Sequence, residues 1–187
     1  MKKKFSRIAA AVAAMFAGPV LGIVAEGRIL LEGSGAVPSV LNVRSMCLKP
    51  YSITVATVLT QDDHAGRTGV FDIAAGVAVT LPRATGSGAK YRFVVKTTVT
   101  SVGDKIQVAN ADDVIQGTVF GLQDGGDTVE GWESASTSDT ITLDGSTKGG
   151  IRGDVIELED VATGLYMVTG LITQTGTQAT PFSAAVS

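Results

Sequence analysis

From residue 51 onward, apolar and polar positions alternate in short runs. Residues 52–60 read SITVATVLT, and similar runs rich in Val, Ile and Thr follow at residues 77–81, 91–95, 105–108, 114–120, 128–132, 140–143, 154–158 and 165–172. Alternation with a period of two puts successive side chains on opposite faces of a pleated strand, where β-branched residues fit best. Between the runs lie turn-forming strings: ATGSGAK at 84–90, SVGD at 101–104, QDGGD at 123–127, LDGSTKGG at 143–150 and VATG at 161–164. Gly supplies backbone conformations closed to other residues, and Asp bonds its own backbone in turns. Strand signals recurring at roughly 8- to 15-residue intervals predict an all-β fold, an antiparallel sandwich or barrel-like body over residues 51–187. No amphipathic helical period follows residue 26, which argues against a parallel α/β sheet.

The start of the chain has a different texture. Residues 1–26 form a basic and apolar segment, with KKKFSR leading into IAAAVAAMFA and an apolar stretch that runs to Ala25, broken by Gly18 and Pro19. Three readings fit it. The outline is that of a secretory signal peptide, although cleavage after Ala25 or Ala17 would put Ile23 or Met15 where a small residue is favoured. Eighteen apolar residues would span about 27 Å as a membrane helix, but alanine contributes little to insertion and the Gly-Pro pair interrupts the helix. The third reading is an apolar arm that lies on a neighbouring subunit. Residues 27–50, with GSG at 33–35, Pro38, Pro50 and a short apolar run at 40–43, predict an extended connector with one or two short strands.

Charge sharpens this division. Residues 1–50 hold seven bases (Lys2, Lys3, Lys4, Arg7, Arg28, Arg44, Lys49) and two acids (Glu26, Glu32), for +5. Residues 51–187 hold eight bases and sixteen acids, for −8. The two parts therefore face different partners or each other. An acidic body argues against nucleic-acid binding, which needs a basic surface to displace counterions from phosphates. Cys47 is the single cysteine, flanked by Met46 and Leu48, so no internal disulfide forms and a buried, inert thiol is expected.

Candidate chemistry is sparse. His64, the only histidine, follows Asp62 and Asp63, but adjacent residues in an extended segment point to opposite faces, so at most two of the three would meet one metal ion. A polar loop is the expected setting. The GSG at 86–88 leads into Ala89 and Lys90, which makes it neither a nucleophile elbow nor a phosphate loop. Arg152, Gly153 and Asp154 spell RGD, yet the Asp opens the apolar run VIEL and reads as a turn starting a strand. Asp104, Asp112, Asp113, Asp124, Asp127, Asp144 and Asp160 are spread through turns, and only Trp132 and a few tyrosines offer platforms for a sugar. The EF-hand spacing for Ca²⁺ is absent. No catalytic, cofactor-binding or metal-binding residue is expected, and neither a cofactor nor an enzymatic activity.

Several strings together carry a resemblance: HAGR at 64–67, VTLPRATGSGAKYRFVV at 79–95, KIQVANADDVIQG at 105–117, STSDTITLDG at 136–145, GGIRGDVIELEDV at 149–161 and ATPFSAAVS at 179–187. Over about two thirds of its length the chain resembles the small β-rich capsid decoration (head) proteins of tailed bacteriophages. The resemblance implies a structural virion protein on the outer capsid surface that stabilises the shell. Its partners would be the major capsid protein and copies of itself, often as a homotrimer. Residues 1–25 lie outside it. The alternative from another class is an exported or fibre-associated adhesion or glycan-binding module, and a third is a polysaccharide-degrading enzyme using two aspartates.

Overall fold

A computed structural model of the chain describes residues 48–186 together with two short strands near the N-terminus. The chain divides into two compact units, Met1–Met46 and Cys47–Ser187. In the first, β1 (Gly22–Val24) and β2 (Arg28–Leu30) pair antiparallel. The arm or signal-like reading of residues 1–26, apart from β1 within it, and the expected burial of Cys47 fall outside the described residues. Of the connector expected over residues 27–50, only β2 and residues 48–50 are described.

The second unit is built almost wholly of strands. A seven-stranded sheet has the order β10-β9-β13-β12-β7-β5-β3, and a five-stranded sheet the order β14-β11-β8-β6-β4. The members in chain order are β3 (Tyr51–Ile53), β4 (Thr57–Val58), β5 (Thr68–Phe71), β6 (Ala78–Thr80), β7 (Lys90–Val95), β8 (Asp104–Gln107) and β9 (Val114–Gln123). They continue with β10 (Val129–Glu133), β11 (Thr140–Leu143), β12 (Val155–Ala162), β13 (Leu165–Gln174) and β14 (Phe182–Ser183). One short helix, α1 (Gln61–His64), lies between β4 and β5.

The all-β expectation holds, but the antiparallel and barrel-like ones are corrected: both sheets are mixed and neither closes. From β3 to β9 the chain crosses from one sheet to the other at every connection. Strands β3, β5 and β7 therefore lie side by side in parallel, as do β4, β6 and β8. A parallel pair needs a long crossover, and here a strand of the opposite sheet serves as that crossover in place of a helix. After β8 the chain turns to hairpins and antiparallel pairings, except that β9 runs parallel to β13 over ten residues. The expected strand over residues 52–60 is likewise corrected. It is two strands in two sheets, because residues 54–56 form the bend between them.

One buried cluster draws on both sheets. Val79, Ile106, Ile141 and Phe182 stand opposite one another across the five-stranded sheet. From the larger sheet come Phe71 and Phe93, with ring centroids 5.7 Å apart, and Tyr91 and Tyr166 at 6.2 Å. The Tyr166 hydroxyl donates to the Pro82 carbonyl at 3.0 Å, so its one polar group is satisfied inside the core. Gly117, at φ 144°, brings β9 so close to β13 that a β-carbon would strike the Val168 carbonyl.

Candidate interaction surface

The residues singled out for chemistry are taken up by the fold. His64 ends α1, and its Nδ1 accepts from the Thr60 backbone N–H at 3.0 Å. Asp63 bonds the Thr60 hydroxyl at 3.0 Å, while Asp62 is exposed. The Asp-Asp-His string is thus a capped turn, with the His64 ring edge-on to Tyr51 at 4.9 Å and the Arg67 guanidinium 5.3 Å from the Tyr51 ring centroid. Among the described residues no group of three or more His, Cys, Asp or Glu side chains is placed to hold a metal ion.

The loop containing GSG closes on an anion, and the anion is the protein's own. The backbone N–H groups of Thr85, Gly86 and Ser87 and the hydroxyls of Thr85 and Ser87 all donate to the buried Asp160 carboxylate, at 2.7–3.2 Å. Burial alone would raise the Asp160 pKa, but the Ser87 hydroxyl and N–H, with the N–H groups of Gly86 and Thr85, outweigh it and hold it at about 2. In the Arg-Gly-Asp string, Asp154 is buried and accepts from the N–H groups of Gly150, Ile151 and Thr173, while Arg152 Nε donates to the Lys96 carbonyl. Its acidic member is turned away from solvent.

Other acids do the same work. Asp113 accepts from Ala84 N–H and Asn110, Asp139 holds the C-terminal residues Ala185 and Val186 by their N–H groups, and Asp144 organises Ser146, Thr147 and Lys148. Asp104 is the exception. It is buried with only the Val77 N–H on Oδ1, and its Oδ2 has no partner among the described residues. Burial pushes its pKa up to about 7 against that one opposing hydrogen bond.

What remains uncommitted is the outer face of the seven-stranded sheet. Register places Phe120 of β9 opposite Leu171 of β13, Leu171 opposite Val155 of β12, Val155 opposite Val94 of β7, and Val94 opposite Val70 of β5. Each of these five sits one position out of phase with a buried neighbour, so all point away from the core. They form one apolar row across five strands, with Phe120 49% and Leu171 57% exposed. Leu122, Val129 and Met167 widen it. Beside the row run the cross-strand pairs Arg92–Glu157 at 3.0 Å and Lys90–Glu159 at 3.3 Å. An open groove of about 680 Å³ follows the row between Phe120, Val155, Leu171 and Arg92.

The face measures roughly 30 Å along β9 and β13 and about 20 Å across the five strands of the row, at ~3.3 Å per residue and ~4.8 Å per strand. That approaches the ~800 Å² each partner gives to a standard protein interface. Single exposed apolar residues are ordinary, but a contiguous row is the kind of feature that marks a contact surface. The sequence reading missed it, although the signal is there: VFGL in β9 and YMV and GLI in β13 place apolar residues on both faces of the strand. Comparison with protein-family models, with curated proteins and with solved structures finds no match to this chain.

Proposed function

We propose that this chain is a non-enzymatic structural protein of the virion, a capsid decoration protein that binds the outer surface of a phage head and stabilises it. The observation that carries the reading is the apolar row on the outer face of the seven-stranded sheet. A body whose buried acids bind its own turns, and whose two sheets act as a sandwich around one core, has its free chemistry on that face. The resemblance in the strings around residues 64–67, 79–95, 105–117, 136–145, 149–161 and 179–187 supports the same reading. The centre of the face, Met167 and Leu171 beside the Arg92–Glu157 pair, is the part assigned to the shell. Apolar area there supplies the driving force and the rim of paired charges fixes orientation.

Two measurements test this. Full-length protein should co-sediment with empty heads of the phage that encodes it, and Leu171→Asp with Met167→Asp should weaken that binding at least about tenfold, since a charge would be buried without a partner. Heads that bind the double variant as tightly as the parent would sink the assignment of this face. The second measurement is the intact mass of native material. A full-length mass from purified heads supports decoration, whereas a mass starting near residue 26 in culture supernatant overturns it in favour of an exported adhesion module.

A further inference from the structure

We propose that the β9–β10 end of the outer face seats the N-terminal segment, residues 1–21, of a neighbouring copy of this chain. This rests on the assembly reading above and names one partner of the same surface. The argument starts from where the charge lies. Of the eight bases and sixteen acids after residue 50, residues 106–147 contain eight acids and no Lys or Arg, so the other eight acids and eight bases cancel. All of the body's excess charge is in that one stretch. Within it, Asp113, Asp139 and Asp144 bind backbone donors, and Asp112 is 3.5 Å from Arg83.

The remaining four, Asp124, Asp127, Glu130 and Glu133, are exposed and all lie on the β9–β10 hairpin. None is within ion-pair distance of a cation among the described residues. Glu133 shares the outward face of Phe120, Leu122 and Val129, Asp124 and Asp127 lie in the turn that joins the two strands, and Glu130 is on the opposite face of β10 with Trp132. An apolar strip with an acidic margin is complementary to an apolar segment with a basic tip. Residues 1–21 are such a segment: Lys2, Lys3, Lys4 and Arg7, then an uncharged apolar stretch from Ile8 through Leu21.

Position argues for a neighbouring copy. The described body begins next to β3, at one edge of the seven-stranded sheet, and β10 is the opposite edge. An arm that leaves one edge and is received at the other makes a head-to-tail contact, and such contacts close into rings when the rotation allows. Residues 22–47 separate the segment from Leu48; with residues 22–30 folded as the β1–β2 hairpin, the remaining 17 residues reach at most about 60 Å. A body of this size has a radius of gyration of about 15 Å, so the next copy is within range.

The test is self-association of the full-length protein in the absence of heads, by sedimentation velocity. The parent should associate beyond the monomer, only partly weakened by added salt, because salt screens the charges and leaves the apolar contact intact. Leu122→Asp with Val129→Asp should abolish association. Asp127→Lys with Glu133→Lys should weaken it about tenfold, and adding Lys3→Glu with Lys4→Glu to that variant should restore it. Asp127 and Glu133 are exposed, so their variants report even if the apolar variant fails to fold. A monomeric parent, indifference to the hairpin substitutions, or no recovery in the charge swap would each overturn the proposal. A monomer that still coats heads would remove the arm's seat and leave the decoration reading standing, while a self-associating protein that ignores heads would do the converse.

Discussion

The turn at residues 84–88 donates to a buried aspartate and the turn at residues 100–104 ends in one, and the two charges are treated in opposite ways. Asp160 is 2% exposed and receives three backbone N–H groups and two hydroxyls from the first turn, with a pKa of about 2. Asp104, at the end of the second, is wholly buried, receives one N–H and has a pKa of about 7. Burial opposes ionisation at both. The number of donors aimed at the carboxylate decides which way the balance falls. Asp154 lies between them: three backbone N–H groups face it, yet its pKa is still raised, because its burial outweighs the bonds from Thr173, Gly150 and Ile151.

Removing the better-served acid should have the largest effect. Asp160→Ala strands the donors of residues 85–87 and should cost about 3 kcal/mol or more of unfolding free energy, read from a denaturant melt at neutral pH. Because the folded pKa is depressed, Asp160's contribution is fully present above the unfolded value of about 4 and fades as pH falls towards 2. A variant as stable as the parent at pH 7 would break the comparison on that side.

Asp104 should show the reverse sign and a smaller size. Its folded pKa is raised, so folding is unpenalised below pH ~4, loses stability between pH ~4 and ~7, and stays penalised above. Asp104→Asn keeps an acceptor for the Val77 N–H and removes the charge. It should stabilise the protein by on the order of 1–2 kcal/mol at pH 8 and hardly at all at pH 4. Equal effects at both pH values would mean that the charge is not what the site resists. The smallest change belongs to the surface: Glu157→Gln, which loses the exposed pair with Arg92, should leave the melt nearly where it was.

None of this difference can be read from the residues themselves. Asp104 ends SVGD and Asp160 stands in ELEDV, and both are consistent with ordinary turn or strand-end aspartates. Their donors come from sequence-distant loops, 27 residues away for Asp104 and about 75 for Asp160. Strand positions were far more legible, since alternation of β-branched residues is a local property. Exceptions have local causes. β5 reads TGVF beside Gly66 and looks like a loop, yet Gly69 is required there because a β-carbon would meet the Tyr51 ring. Strand partners were not legible, because nothing in VTL or KIQV states whether its neighbour runs parallel. The apolar outer row had the same obstacle: each strand contributes one or two residues, and only the register assembles them.

The alternating passage of β3 to β8 between the two sheets also orders events in time. Neighbours in that winding are close along the chain: Tyr51 meets Gly69, a separation of 69 − 51 = 18 residues. Val114 meets Leu165 across 165 − 114 = 51 residues. Closing the longer loop costs roughly 0.9 kcal/mol more by chain entropy alone, and distant pairings slow folding. As the chain leaves the ribosome, each turn of the winding has its partner already made and waiting, whereas β9 must wait for β13. Until then the inward apolar residues of β9, Ile115 and Val119, lack one of the strands that bury them, and the risk of misassembly is concentrated in that interval.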